Sequence, residues 1–270
     1  MEINKVGFPG LGLSFEINRV AFTVFGQDIY WYGIIIAAAL ICAIAYASFE
    51  AKRMQLPEET ISDVVLFGVP AAIIGARLYY VIFSWDSYKG DFMKIIAVWE
   101  GGLAVYGGVI AGVLTGFIYC RIKKISFTEV ADCVSIPFLI GQCIGRWGNF
   151  VNVEAYGTQT SLPWRMQIEE AGKTICVHPT FLYESLWNLA GIILLSNLRK
   201  KKPFSGFVFL MYLIWYGIGR TFIEGLRTDS LMIGNTIRTA QLVSAVVFVL
   251  FILWYIYLAR KNSTKGRIFY

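Results

Sequence analysis

"YWYGIIIAAALICAIAYASF", residues 30–49, is a run of twenty residues that contains no charged side chain. A helix of about 20 apolar residues is long enough to cross the hydrocarbon core of a bilayer. Lys52 and Arg53 lie three and four residues after the end of the run, and basic residues at one end of such a segment are typical of its cytoplasmic side. This stretch therefore predicts a transmembrane helix.

Further apolar stretches recur along the chain, at about 62–85, 103–120, 128–150, 179–198, 205–226 and 237–259. The 270 residues are 57% hydrophobic and 16% charged, whereas a soluble domain is about 45–50% apolar and about 25% charged. The first 20 residues contain no compact apolar core, so we do not predict a cleavable signal peptide. We predict an all-α integral membrane protein with seven transmembrane helices, organised as a single domain over residues 1–270.

Lysine and arginine are concentrated in alternate connections between the predicted spans. They follow spans one, three, five and seven: Lys52, Arg53, Arg121, Lys123, Lys124, the run 199–202, Arg260, Lys261, Lys265 and Arg267. Because cytoplasmic loops carry the excess of basic residues, we predict an outside N-terminus and a cytoplasmic C-terminus. The loop regions at about 86–102 and 151–178 then face outward.

Three arginines lie inside predicted spans: Arg77, Arg146 and Arg220. An arginine at the bilayer centre costs about 2.5–3.5 kcal/mol on insertion scales, so each needs a physical reason. Spans two, four and six all run outward in the predicted topology, which places the three guanidinium groups in the outer half of the membrane. Because a guanidinium binds phosphate through parallel hydrogen bonds, we predict an outward-facing site for a phospholipid headgroup.

Span six carries a cluster of polar residues near its outer end. If its helix persists to residue 227, the helical period places Tyr216, Arg220, Glu224 and Arg227 on one stripe. Two arginines and one carboxylate leave positive charge in excess, which favours an anionic ligand. The alternative is a buried ion pair in which Glu224 only neutralises Arg220.

Small residues accompany these charges. Gly145 and Gly148 flank the arginine of span four and leave room for a ligand or another backbone, although packing alone also explains them. Gly108, Gly112 and Gly116 recur at i+4 spacing in span three, which is typical of a helix-packing stripe.

The chain lacks the sequence patterns of several enzyme classes. The single histidine excludes an HExxH zinc site, and neither a GxSxG nucleophile elbow nor a P-loop occurs. The five cysteines contain no CxxC pattern and predict no disulfide framework.

"GRWGNFVNVEAYG", residues 145–157, resembles the signature G-R-x-G-N-F-x-N-x-E-x-x-G of the prolipoprotein diacylglyceryl transferase family. Five other segments are similar to that family in the same order. They are "WYG" at 31–33, "GARLYYV" at 75–81, "EGGLAVYGG" at 100–108, "HPTFLYE" at 178–184 and "RTFIEGLR" at 220–227. The resemblance covers nearly the whole chain.

This resemblance implies a transferase of the bacterial cytoplasmic membrane, with its active site facing the outer leaflet. Such an enzyme moves the diacylglyceryl group of phosphatidylglycerol to the lipobox cysteine of a preprolipoprotein. A thioether forms and sn-glycerol 1-phosphate leaves, in the first step of bacterial lipoprotein maturation. The resemblance also implies that no metal, nucleotide or other cofactor takes part and that no nucleic acid is bound.

The matched motifs imply roles for particular side chains. Arg146 and Arg227 would be the catalytic electrostatic residues, and Asn149 and Glu154 would orient the headgroup or Arg146. The other implied substrate-binding residues are Gly157 in a turn after the signature, Tyr32 in the outer pocket and His178, and the charges within the predicted spans add Arg77, Arg220 and Glu224 to this set. For His178, a polar residue at the entry of span five is the alternative.

Tyr106 marks a departure from the family pattern. Many relatives are similar to "HGG" where this chain has Tyr106, Gly107 and Gly108, and that histidine is a proposed base. A tyrosine with pKa about 10 is a weak base at neutral pH. Tyr106 could act as a hydrogen-bonding group or a phenolate beside Arg146, the base could lie elsewhere, or the tyrosine could be structural.

Two other functions are also consistent with charged residues inside the membrane. One is a transporter or lipid carrier, because such charges mark pathways, but the predicted charges gather in the outer half and form no relay across the bilayer. The other is an inactive lipid-binding scaffold, which differs from the transferase only in lacking turnover.

Overall fold

The computed structural model describes residues 3–170, 172–228, 232–233, 237–238, 249 and 251–256, and helices account for most of them. The helices are α1 (Trp31–Arg53), α2 (Thr60–Phe83), α3 (Phe92–Ile96), α4 (Val105–Lys123), α5 (Phe127–Asn152), α6 (Thr180–Leu198) and α7 (Phe207–Glu224). Pro70 lies within α2 and Pro137 within α5.

Within this described part of the chain, six helices are long and apolar enough to cross a membrane: α1, α2, α4, α5, α6 and α7. Their bounds differ from the first six predicted spans by only a few residues. The seventh predicted span, 237–259, falls largely outside the described residues. Its predicted start is wrong, because Ile237–Arg238 is a strand that pairs with Met232–Ile233.

A small antiparallel sheet accompanies the helices and was not predicted. Its strands are β1 (Ile3–Phe8), β2 (Leu13–Asn18), β5 (Met166–Glu170) and β6 (Lys173–Val177), in the order β2-β1-β5-β6; β3 (Val20–Val24) and β4 (Gln27–Tyr30) form a separate hairpin. Residues 151–178, predicted as a loop region, therefore contain two strands. The pairing that joins the sheet is long-range, since Val6 lies opposite Ile168.

The apolar face of this sheet covers the start of α6. Val6, Ile168 and Val177 are each 1% exposed and pack in one cluster with Phe181 of the first turn of α6. The Phe181 ring lies 4.6 Å, centroid to centroid, from that of Phe150 near the end of α5. The burial of these side chains is the main stabilising term of such a cluster. It holds the end of α5 beside the beginning of α6.

The described part of the chain divides into two compact units. One comprises residues 47–133, and the other comprises the described residues of 1–46 and 134–270. In the second unit Leu139 of α5, Leu195 of α6 and Val208 of α7 form a buried core. The single domain over residues 1–270 stays a prediction.

In the unit of residues 47–133, glycines bring α2 and α4 into close contact. A Cβ added at Gly75 would lie 2.7 Å from the Gly107 carbonyl oxygen, and one at Gly107 would overlap the Gly75 carbonyl oxygen. The predicted stripe is less tightly packed, because a Cβ at Gly108 would lie 3.2 Å from the nearest atom and one at Gly112 would lie at 3.9 Å. Such close backbone approach is typical of helices that pack in membranes.

Arg77 closes a loop in the same unit. Its side chain is 4% exposed and donates hydrogen bonds to the backbone carbonyls of Lys94, Ile95, Gly101 and Gly102. A guanidinium has five N–H donors, so most of those of Arg77 are already used. Arg77 therefore has a structural role in this loop, and a direct contact between Arg77 and substrate stays a prediction.

We expect Gly107→Ala to destabilise this unit more than Gly112→Ala. The added methyl at 107 overlaps backbone of α2, and overpacking of this kind costs about 1–3 kcal/mol. At 112 the methyl makes an ordinary contact with Ala72. Apparent Tm values in detergent compare the variants, and equal Tm values would contradict the close α2–α4 contact.

Candidate active site

Glu184, the fifth residue of α6, contacts three arginines. Its Oε2 lies 2.6 Å from Nη2 of Arg146 and 3.9 Å from Nη1 of Arg220, and its Oε1 lies 3.4 Å from Nη1 of Arg227. The residue is buried, with 8% of its surface exposed. The structure thus brings together the predicted residues Arg146, Arg220 and Arg227 around a carboxylate that was not predicted.

A second carboxylate completes the charged cluster. Glu224 is 2% exposed, and its Oε2 lies 2.6 Å from Nη2 of Arg220. Three guanidinium groups and the carboxylates of Glu184 and Glu224 leave one positive charge in excess. The predicted pairing of Glu224 with Arg220 is present, and it does not neutralise the cluster. The arrangement is suited to an anionic ligand.

Helix α7 ends at Glu224, so the predicted stripe does not extend along a helix to Arg227. The chain turns instead, with the backbone N–H of Arg227 donating to the Glu224 carbonyl at 3.2 Å. Arg227 then forms an antiparallel bridge with Gly157, the last residue of the signature. This turn, and not the helical period, directs Arg227 toward Glu184.

Two polar residues of the signature hold Arg146 from its other side. Arg146 Nη1 donates to Asn149 Oδ1 at 3.2 Å, and Asn149 Nδ2 donates to Glu154 Oε1 at 2.7 Å. The backbone N–H of Glu154 also donates to the Asn149 carbonyl at 3.0 Å. This chain of hydrogen bonds has the geometry needed to orient Arg146, as the predicted role of Asn149 and Glu154 requires.

Gly157 allows neighbouring segments to approach its backbone closely and does not form a turn. Its φ is not positive, whereas Val153 and Ala155 have φ of 53° and 56° and reverse the chain after α5. A Cβ at Gly157 would lie 2.7 Å from Cβ of His178 and 3.0 Å from the Leu226 carbonyl oxygen. The predicted turn at Gly157 is therefore wrong, and the glycine is needed because only hydrogen fits between these groups.

His178 contacts Gly157 from the segment that leads into α6. Its carbonyl accepts the Gly157 N–H at 3.0 Å, and its Nδ1 lies 3.2 Å from the hydroxyl of Tyr183. These contacts place it beside the signature loop at the entry of α6. A direct contact between His178 and substrate stays a prediction.

Tyr32 and Tyr106 are exposed aromatic residues at helix starts. The Tyr32 ring packs on Gly148, where an added Cβ would lie 2.9 Å from it. Tyr32 also lines an open cavity of about 450 Å³ with Asp28, Ile29, Tyr30, Gly33 and Asn152. Tyr106 lies in the first turn of α4 and is 47% exposed. The catalytic role of Tyr106 stays a prediction.

The sequence profile of the prolipoprotein diacylglyceryl transferase family matches residues 19–257 of this chain. The chain belongs to the prolipoprotein diacylglyceryl transferase family. It is similar to a phosphatidylglycerol–prolipoprotein diacylglyceryl transferase of Clostridioides difficile, with 45% identity over 249 residues that cover 92% of this chain and 98% of the relative. Family membership makes this chain a transferase.

Other relatives with the same name agree over similar lengths. The one from Oceanobacillus iheyensis is 47% identical over 262 residues, which cover 93% of this chain and 91% of the relative. The one from Listeria welshimeri is 46% identical over 255 residues, covering 92% of each chain.

Sequence reasoning missed Glu184, although a signal was available. Glu184 is the only acidic residue of the predicted span 179–198, and an ionisable residue inside a span marks a functional site by default. Within the described residues, no group of three His, Cys, Asp or Glu side chains is placed to hold a metal ion.

A reciprocal pair of tryptophans joins α6 to α7 next to the charged cluster. Trp187 Nε1 donates to the Trp215 carbonyl at 3.2 Å, and Trp215 Nε1 donates to the Trp187 carbonyl at 3.1 Å. Their rings stack with centroids 4.2 Å apart. Trp187 lies one turn after Glu184, and Gly219, which packs on the Trp187 indole, directly precedes Arg220. The tryptophan pair therefore fixes the position of Glu184 along α6 relative to that of Arg220 along α7.

We expect Gly219→Ala to separate these two rings, because the added methyl overlaps the Trp187 indole. Overpacking costs about 1–3 kcal/mol, and transferase activity falls as Glu184 and Arg220 move apart. Circular dichroism of the coupled indoles and a turnover assay measure the two effects. Gly141→Ala in α5 is the matched control, since its methyl meets nothing within 4 Å. An unchanged indole signal in Gly219→Ala would contradict the stacking.

His178 is predicted to be neutral at physiological pH, because burial lowers the pKa of its imidazole below the usual value. Its contribution to stability is then complete above the unfolded pKa of about 6.5 and is lost as the pH falls through the lower folded pKa. As the only histidine, it gives one NMR signal after ¹³C-histidine labelling of protein purified without a histidine tag. A midpoint above the usual value would contradict the burial.

Proposed function

We propose that this protein transfers the diacylglyceryl group of phosphatidylglycerol to the lipobox cysteine thiol of preprolipoproteins. The observation that carries the proposal is the cluster of Arg146, Arg220 and Arg227 around Glu184. The names of the relatives support phosphatidylglycerol and a prolipoprotein as the two substrates. The reaction is the first step of bacterial lipoprotein maturation.

In the proposed reaction the sulfur of the lipobox thiol attacks the glyceryl carbon that carries the phosphate, and the thiol proton ends on the released phosphate. A C–S bond forms as the C–O bond to phosphate breaks. The electron pair of that bond stays on the phosphate oxygen. The products are a thioether and sn-glycerol 1-phosphate, and neither a metal nor an organic cofactor is required.

The arginines act on the leaving group. Negative charge grows on the phosphate as the C–O bond breaks, and preorganised cations in a site that excludes water stabilise growing charge most effectively. Arg146 is already oriented through Asn149 and Glu154, so its guanidinium is in position before the phosphate binds. The same positive field lowers the pKa of a thiol brought next to it, from about 8.5 for a free cysteine.

The reaction also fixes where the site has to lie. The lipobox cysteine follows a signal-peptide helix, so we place the site at the outer leaflet of the bacterial cytoplasmic membrane, with an outside N-terminus and a cytoplasmic C-terminus. Six described helices of sufficient length and hydropathy support a multi-pass membrane protein. Tyr106 is the first candidate for contact with the thiol, in place of the histidine that many relatives carry.

We expect Arg146→Ala, Arg220→Ala and Arg227→Ala each to slow thioether formation strongly. Loss of one donor to developing negative charge costs about 10²–10³ in rate. The assay uses purified protein in phosphatidylglycerol vesicles with a lipobox peptide, and it measures the thioether by mass spectrometry and the released glycerol phosphate. Arg146→Lys keeps the charge but loses the second hydrogen bond to Asn149 or Glu184, so we expect partial activity.

Arg121→Ala is the matched control for loss of an arginine. Arg121 lies near the end of α4 with its guanidinium 5.1 Å from the Phe117 ring centroid, so its variant should retain activity. Full activity of Arg146→Ala would overturn the proposed role of the cluster. Lipid binding by wild-type protein without release of glycerol phosphate would favour a lipid carrier or scaffold instead.

A further inference from the structure

The Glu184 carboxylate contacts the guanidinium groups in the way that a bound phosphate would. Its two oxygens contact different arginines, with Oε2 at 2.6 Å from Arg146 and Oε1 at 3.4 Å from Arg227. Carboxylate and phosphate oxygens accept the same charge-assisted hydrogen bonds from guanidinium groups. A phosphate that bridges Arg146 and Arg227 must therefore take up donors that Glu184 now holds.

The two carboxylates of the cluster differ in this respect. Glu224 and Arg220 are one turn apart on α7, and their contact at 2.6 Å is made within one helix. Glu184 instead reaches from α6 to arginines on other segments, and its side chain is more exposed than that of Glu224, at 11% against 2%. Glu184 is therefore the carboxylate placed where a ligand would compete.

We propose that Glu184 is a reversible competitor of the phosphate group. It holds the arginines in the substrate-free enzyme, yields them to the phosphate of the lipid, and takes them back as glycerol phosphate leaves. The inference rests on the proposed function, since it requires a phosphate at this site. Its consequence is a low affinity for the product, which carries more negative charge than the lipid phosphate and would otherwise bind tightly to the arginines.

Glu184→Gln removes the competing charge but keeps the side-chain length and one acceptor oxygen. We expect the full-length variant in detergent to bind sn-glycerol 1-phosphate at least about tenfold more tightly than wild type, because a hydrogen bond to a charged group contributes a factor of this size or more. Isothermal titration calorimetry measures the Kd. In the vesicle assay, the same variant should be inhibited by lower concentrations of added sn-glycerol 1-phosphate.

Glu169→Gln is the matched control, because Glu169 is an exposed residue of β5 and the variant has the same change of net charge. Its Kd should stay at the wild-type value. Glu184→Asp keeps the charge but shortens the side chain, so we expect a Kd between those of wild type and Glu184→Gln. This second variant also tests the inference where Glu184→Gln fails to fold.

The outcomes separate this inference from the proposed function. Binding of sn-glycerol 1-phosphate by Glu184→Gln or Glu184→Asp that is no tighter than by wild type would overturn the competitor role, even with wild-type thioether formation confirmed. Tighter binding by Glu184→Gln, together with a wild-type protein that forms no thioether, would support the competition and overturn the transferase chemistry.

Discussion

The Glu184 carboxylate lies between 2.6 and 3.9 Å from guanidinium groups of α5, α7 and the segment after α7, and the site depends on this sharing. Without it, Arg146, Arg220 and Arg227 would repel one another. Removing one partner from a buried ion pair costs about 3–5 kcal/mol, because the remaining charge is left uncompensated. One carboxylate for three arginines, with Glu224 beside them, keeps the cluster assembled and still leaves it attractive to an anion.

Contacts between uncharged side chains position the helices that carry these charged residues. The sheet and the Phe150–Phe181 contact hold the end of α5 against the start of α6, and Trp187 and Trp215 hold α6 against α7. Each contact lies within a turn or so of a charged residue along its helix. Apolar burial and hydrogen bonding thus provide the order that the mutually repelling arginines cannot provide, and the electrostatics of the site follow from that framework.

Much of this arrangement was predictable from the sequence. Apolar runs predicted the helices α1, α2, α4, α5, α6 and α7 to within a few residues, and the matched signature put forward Asn149 as a residue that orients Arg146 or the headgroup. The hairpins β1–β2 and β5–β6 join neighbouring segments and were overlooked, whereas the β1–β5 pairing that unites them joins distant segments and leaves no local pattern. Arg77 looked equivalent to Arg146, yet its donors are taken by backbone carbonyls.

The sequence by itself determined that six apolar segments form helices of membrane-spanning length and that several arginines lie within or beside them. Hydropathy and helical spacing are properties of neighbouring residues, so they can be read without a fold. Tertiary structure alone decided that Glu184 faces Arg146, Arg220 and Arg227, that Gly157 is a point of close approach, and that Arg77 closes a loop. Those outcomes depend on which distant segments pack together. The local sequence does not determine which partner a long polar side chain contacts.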